Sequence, residues 1–257
     1  MMKRLLLAGV AALVPSAAWA DPQYKLLVLA MPSKYHYEYI PVARDSIERL
    51  AKLHAFDLTW THDPAALEQD LRPFAAVMLL NTPVEDLKPA ARRGFETYMD
   101  GGGNAMVVHR GAISAPGNWP WYEKLVGRTV GVHPMLQTGV VTTIDKAFPA
   151  VFGVPERWVW SDEFYTTTNP YSVRINTVMT VDESSYDPTK IWPGQVSKPM
   201  GRDHPIAWYK YHGKGRVFVT TLGHNGEMYR DAEYLRHLMG GIYWTATGLG
   251  VAGGAQR

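Results

Sequence analysis

The chain has 257 residues, no cysteine and a formal net charge of +2. The missing thiols exclude disulfides, thiolate metal ligands and a cysteine nucleophile. The balance of charge, with no long basic run, excludes the usual footprint of a nucleic-acid binder.

Taken in order, the chain begins with what reads as a secretory signal peptide: a basic start at Lys3-Arg4, an apolar run from Leu5 to Val14, and a small-x-small site at Ala18-Trp19-Ala20. Cleavage is expected after Ala20, which places the mature protein in the periplasm or outside the cell. The apolar run is too short for a membrane span, and none is expected later. Residues 21–257 are expected to form one α/β domain.

Lys25 to Met31 is expected to be a buried strand, followed by a loop that carries His36. A helix with Ile40, Ala43, Ile47 and Leu50 on one face comes next. Phe56, Leu58 and Trp60 alternate with polar residues as a second strand, and Asp63-Pro64 caps and opens a short helix. Ala75 to Leu80 is a third strand, ending at Asn81. Leu87 to Met99 is a helix, broken at Gly101-Gly-Gly103. Ala105 to Val108 is then a strand buried on both faces, and His109 stands where it runs out. The alternation of β and α predicts a mostly parallel sheet with helices on both faces. Right-handed crossovers bring the strand carboxyl ends, and with them His36, Asn81 and His109, to one rim, where ligands bind in such sheets.

The second half is expected to add β-rich insertions. A short aromatic helix spans Asn118 to Val126, and strands follow over Gln137 to Ile144, Trp158 to Thr167 and Ser172 to Val181. Residues 184–204, rich in Pro, Gly, Ser and Asp, predict a long loop over the cleft. Ile206 to Tyr211 and Arg216 to Leu222 form a hairpin about His212-Gly-Lys-Gly215. A final helix covers Asp231 to Thr247 with Leu235, Leu238, Met239, Ile242 and Tyr243 on one face, and Val251 to Arg257 is a frayed tail.

Several short motifs run in one order along residues 24–247: Lys34-Tyr-His36, Gly101-Gly-Gly with Val107-Val-His109, Trp119-Pro-Trp-Tyr122, His133-Pro134, Asp162-Glu-Phe-Tyr165, Asp203-His-Pro-Ile-Ala-Trp208 and Leu222-Gly-His224. On these the chain resembles the ThuA-like (trehalose-utilisation) family, whose fold is like that of class I glutamine amidotransferases (flavodoxin-like). The resemblance implies a role in carbohydrate metabolism, on sugars or keto-sugar derivatives. It does not imply glutaminase activity, because the cysteine nucleophile usual in that fold is missing.

The residues themselves point to His36, His109, His133, Glu163 and His224 as a constellation. Neutral imidazoles with a carboxylate are the usual donors for zinc or a similar divalent ion. The metal reading names His36, His109, His133 and His224. A metal-free version uses the same groups for proton transfer, with His109, Glu163 and His224 as the catalytic residues. Of the adjacent Asp162 and Glu163, alternation along a strand would aim only one at the site, and Glu163 is the choice, with Tyr165 two residues on along the same face. His36, Asn81, Arg110, Tyr165 and His204 are candidate substrate contacts, and Trp119, Trp121, Tyr122 and Trp208 are further rings that could stack on a sugar. No nucleotide cofactor is expected. The partner is a small carbohydrate; a homo-oligomer is left open. The reaction expected is hydrolysis, elimination or isomerisation, against a non-catalytic carbohydrate- or partner-binding module.

Overall fold

The computed structural model describes residues 21–251. The signal-peptide reading of residues 1–20, and the tail beyond Val251, lie outside the described residues. In chain order the elements are β1 (Lys25–Leu29), α1 (Ile40–Leu53), β2 (Asp57–Thr61), β3 (Ala76–Leu80), α2 (Pro89–Asp100), β4 (Ala105–Val108), α3 (Pro120–Val126), β5 (Thr129–Val130), β6 (Gln137–Thr143), β7 (Arg157–Asp162), β8 (Thr167–Thr168), β9 (Asn176–Asp182), β10 (Pro205–His212), β11 (Gly215–Thr220) and α4 (Ala232–Thr247).

Nine strands form one sheet in the order β2-β1-β3-β4-β11-β10-β9-β6-β7. The strands from β2 to β11 are mutually parallel, and β10, β9, β6 and β7 continue the sheet antiparallel. This is the expected α/β class. Of the second-half strands, β6, β7, β9, β10 and β11 extend the same sheet, and β5 and β8 form a separate two-stranded one.

The central parallel strands β3 and β4 are apolar and buried at every position because both faces are covered, whereas the edge strand β2 alternates with polar residues. Leu26, Val28, Met78, Met106 and Phe218 face a core shared with Ala43 and Ile47 of α1 and Leu238 and Ile242 of α4. The alternate residues Leu27, Leu29, Val77, Val107 and Val219 face a second core with Phe95 and Met99 of α2 and Leu125 of α3. The α4 face is rotated from the expected one. Tyr234, His237, Gly241 and Trp244 are buried, whereas Leu235 and Met239 are only partly so. Gly241 makes this possible, since the Phe218 ring lies where its Cβ would be, at 2.5 Å.

Two local expectations need correction. The strand expected over 158–167 stops at Asp162, and Thr167–Thr168 pairs separately with β5. Asp162 causes the break: its carboxylate accepts from the Glu163 amide at 2.9 Å and the Gly223 amide at 2.8 Å, which takes the backbone out of the ladder. The strand expected from Ser172 begins only at Asn176. Elsewhere the boundaries agree to within a residue or two. Asp63 caps a single turn at Pro64–Glu68 as expected, accepting from the Ala65 amide.

Candidate functional site

β3 and β4 end on non-glycine residues in the left-handed region, Asn81 at φ 49° and His109 at φ 48°. Such backbone is sparsely populated for residues with a Cβ and clusters at functional sites. Here it turns the chain sharply off each strand. Asn81 locks both turns: its Oδ1 accepts the Arg110 amide at 3.0 Å and its Nδ2 donates to the Gly223 carbonyl at 3.0 Å. The β11 end is set by Gly223, φ 119°, where a Cβ would meet the Tyr234 hydroxyl at 2.2 Å. His224 follows it. On the β1 side, Ser33 and His36 exchange backbone hydrogen bonds at 3.1 and 3.2 Å, a tight turn that carries the His36 ring inward.

Four groups converge there. One donor atom each from His36, His109, Glu163 and His224 lies within 4.8 Å of the others. His36, His109 and Glu163 are buried and His224 is partly so. The His109 tautomer follows from its partners. Nδ1 lies 2.7 Å from the Thr221 carbonyl, which can only accept, so Nδ1 carries the proton. Nε2 then faces the cluster with its lone pair and takes the Tyr165 hydroxyl at 2.7 Å. His224 Nδ1 stands 3.1 Å from Glu163 Oε2 and 3.3 Å from His109 Nε2. His36 Nε2 is buried and has no hydrogen-bond partner.

Electrostatics favour these forms. Burial, with His109 and His224 adding to it, pushes His36 down to about 2, so its ring stays neutral. Burial alone would raise the Glu163 carboxyl, but the neighbouring His109, His224 and His133 imidazoles outweigh it and hold Glu163 below the usual range. Burial pulls His224 down, and the Glu163 carboxylate more than reverses it, so His224 is raised. Burial, reinforced by Glu163 and Asp162, pushes the Tyr165 hydroxyl well up. Tyr165 therefore remains a hydrogen-bond donor.

The donor set fits a divalent cation. Three imidazoles and a carboxylate suit zinc or a similar ion, the Thr221 carbonyl fixes the His109 ring as an outer partner does in metal sites, and the orphaned His36 Nε2 is an unmet need in a buried place. The site is a histidine cluster with Glu163 as the fourth donor. His133, expected as a ligand, stands outside it. Its Nδ1 lies 3.0 Å from the Pro134 carbonyl and 3.8 Å from Glu163 Oε2. His133 instead lines the cleft above, a space of about 580 Å³ that is also bounded by Tyr35, Arg110, Glu163, Trp192 and His224.

Other residues singled out in the sequence are placed differently. Arg110 reaches the cleft, with its guanidinium paired to Glu85. Asn81, Tyr165 and His204 are fully buried and do not line it. They support the site from beneath, because their polar atoms are engaged by the protein. His204 illustrates this, with Nδ1 at 2.8 Å from the Glu183 carboxylate and Nε2 at 3.0 Å from the Tyr165 carbonyl. Glu163 and Tyr165 do converge, but through irregular backbone beyond β7 and not on one strand face. Asp162 is structural: besides the two amides it accepts from Trp160 Nε1 at 3.0 Å. Trp119, Trp121 and Tyr122 stack on one another around α3, and Trp208 is buried with its Nε1 donating to the Val126 carbonyl. The rings at the cleft are Tyr35 and Trp192, which the sequence reading did not single out. Trp192 does lie in the loop expected to cross the cleft, and that placement was the available signal.

The sequence profile of the ThuA family, described as trehalose utilisation, matches residues 25–245. The chain belongs to the ThuA family. That description ties the family to carbohydrate metabolism. Among solved structures, this ThuA chain is similar to a protein described as ThuA-like from Bacteroides uniformis, at 21% identity and TM-score 0.75, covering 94% of this chain and 98% of that one. A second ThuA-like protein, from Parabacteroides merdae, is 19% identical with TM-score 0.70 over 92% and 93% of the two chains. A β-galactosidase from Bacillus circulans sp. alkalophilus shares the fold more distantly, at 11% identity and TM-score 0.55, over 85% of this chain and 30% of the enzyme. A search of curated protein sequences gives no match.

Proposed function

We propose that this ThuA protein is an exported enzyme acting on a sugar or keto-sugar, with a divalent cation, zinc or similar, held by His36, His109, Glu163 and His224. The observation that carries the reading is the convergence of four donor atoms within 4.8 Å on the floor of a cleft. A bound cation would polarise a carbonyl or activate water there. The chain's own groups supply the rest. His36, His109, Glu163 and His224 would hold the ion at the floor of the cleft, and Arg110 and His133 line the space in which a substrate would sit. The Thr221 carbonyl, on the far nitrogen, holds the His109 ring in place. Hydrolysis, elimination and isomerisation all draw on this set. Export rests on the basic, apolar and small-x-small pattern of residues 1–20. The mature protein recovered from the periplasm should begin at Asp21 by intact mass.

Metal content of the purified mature protein, by plasma mass spectrometry, tests the centre. About one equivalent of zinc, manganese or nickel is expected in the native protein, lost in Glu163→Gln and in His224→Ala variants that keep the native circular dichroism. No metal after incubation with divalent ions would remove the metal and leave a second reading. That reading is proton transfer by His224 and Glu163 alone, favoured by their 3.1 Å contact.

A further inference from the structure

The nine-stranded sheet ends on β7. An edge strand presents a row of unpaired backbone groups, and folds guard such rows with charges, proline or bulges. β7 carries few of these guards. It pairs with β6 in one unbroken antiparallel register, from Asp162 opposite Gln137 to Arg157 opposite Thr142. Its central run, Trp158-Val-Trp-Ser161, has no charge and no proline. Val159 stands in the middle of it and is 70% exposed, whereas Trp158 and Trp160, on the other face, are buried.

The hydrogen bonds of β6 fix which backbone groups of β7 are free. The Ile144 amide donates to the Val178 carbonyl of β9 at 2.8 Å, and the Thr143 amide donates the other way, to the Glu156 carbonyl at 2.8 Å. Amides alternate sides along a strand, so those of Val141 and Gly139 also point to β7. Their partners there are Trp158 and Trp160, whose N–H and C=O groups are thereby used. The N–H and C=O groups of Arg157, Val159 and Ser161 therefore point away from the sheet. Among the described residues, no turn, loop or side-chain hydrogen bond takes them up.

We propose that β7 is a dimer interface, pairing antiparallel with β7 of a second copy about a two-fold axis at Val159. The strand is complementary to itself in this register. Val159 meets the partner's Val159 and exchanges both backbone bonds with it, and Arg157 does the same with the partner's Ser161. The two Arg157 side chains stand four residues apart along the ladder, about 13 Å, so they do not oppose each other. Each is already paired to its own Asp182 at 3.2 Å. Glu156, which approaches the partner's Asp162, has Lys146 as its counter-ion at 2.7 Å. The join continues one sheet through both copies, with β2 at each outer edge.

Sedimentation velocity of the purified protein tests the association. A single strand pair is a small interface, so a dimer dissociating on the order of 10 μM is expected, with dimer mass dominant at about 200 μM. Val159→Pro deletes the outward amide at the axis and leaves the β6 ladder intact. Val159→Lys sets two ammonium groups opposite each other. Both variants should keep the native circular dichroism and stay monomeric at about 200 μM, a weakening of more than about tenfold. The chain has no cysteine, so Val159→Cys gives a clean cross-link. Directly opposed Cα atoms in such a pair lie about 5.5 Å apart, within disulfide reach. Mild oxidation should join Val159→Cys into a covalent dimer at least about tenfold faster than Leu53→Cys, because pairing holds its thiols together. Leu53 is a fair control, being 76% exposed on α1 beside an apolar groove. A native protein monomeric at about 200 μM would overturn the proposal and leave the edge to an unlike chain. So would a dimer that persists in both the proline and lysine variants, faster cross-linking of Leu53→Cys, or assemblies larger than a dimer.

Discussion

At the residue scale, Asn81 and Tyr165 do more than their burial suggests. Asn81 holds two strand-end turns together and tolerates a left-handed backbone. Asn81→Ala loses both hydrogen bonds and keeps the strained φ, which is expected to lower stability by about 2–3 kcal/mol. Asn81→Gly loses the same bonds but relieves the strain, so its urea midpoint should lie above that of the alanine variant. Equal midpoints would show that φ contributes nothing. Tyr165 donates to the lone pair of His109 Nε2 that a cation would take. Tyr165→Phe frees that lone pair and leaves it unsatisfied in the metal-free protein, so divalent-cation affinity should rise about fivefold, or about 1 kcal/mol. An affinity that falls on titration would mean that the hydroxyl helps to hold the ion.

At the element scale, the parallel half of the sheet is set by local pattern, and its junctions are set by close backbone approach. The β10–β11 turn closes His212 on Gly215, and a Cβ on Gly215 would meet the Gly103 carbonyl at 2.0 Å. The glycine run after α2 and the hairpin therefore fit only as backbone against backbone. Gly215→Ala must push these segments apart, at an expected cost of about 2 kcal/mol or more in thermal or urea unfolding. A cost below about 0.5 kcal/mol would mean that the turn shifts freely. The break after β7 has the same origin in tertiary contact, since the Gly223 amide that holds Asp162 lies on a different strand end. Strand alternation in the sequence pairs Glu163 with Tyr165 on one face, and it holds no sign that a carboxylate from the neighbouring position would end the strand.

At the scale of the whole molecule, His237 couples folding to pH. It sits on α4 with no exposure, Nδ1 at 2.9 Å from the Ala150 carbonyl and Nε2 at 2.9 Å from the Thr220 hydroxyl. Burial lowers it to about 4, against the ordinary 6.5 of an unfolded chain. Between these values the unfolded state binds the proton and the folded state does not. Stability is thus full above pH 6.5 and declines as pH falls towards 4, by roughly 3 kcal/mol from this group. His237→Gln should flatten that part of the stability–pH curve, whatever it does to stability at neutral pH. An unchanged slope would show that other groups carry the acid sensitivity.

Much of this protein was legible in the chain alone. Periodicity is a local property, so the apolar runs, the helix faces and the α/β class follow from it, and strand polarity then sends His36, Asn81 and His109 to one rim. The motifs from Lys34 to His224 add the family. Tertiary structure decided which side chains meet. It placed Glu163 and not His133 in the donor cluster, turned Asn81, Tyr165 and His204 into supports, and set Trp192 at the cleft in place of Trp119 or Trp208. The physical reason is that these outcomes depend on contacts between residues far apart in the chain, such as His109 with Thr221 and Asp162 with Gly223. Spacing along the chain carries no record of such distances.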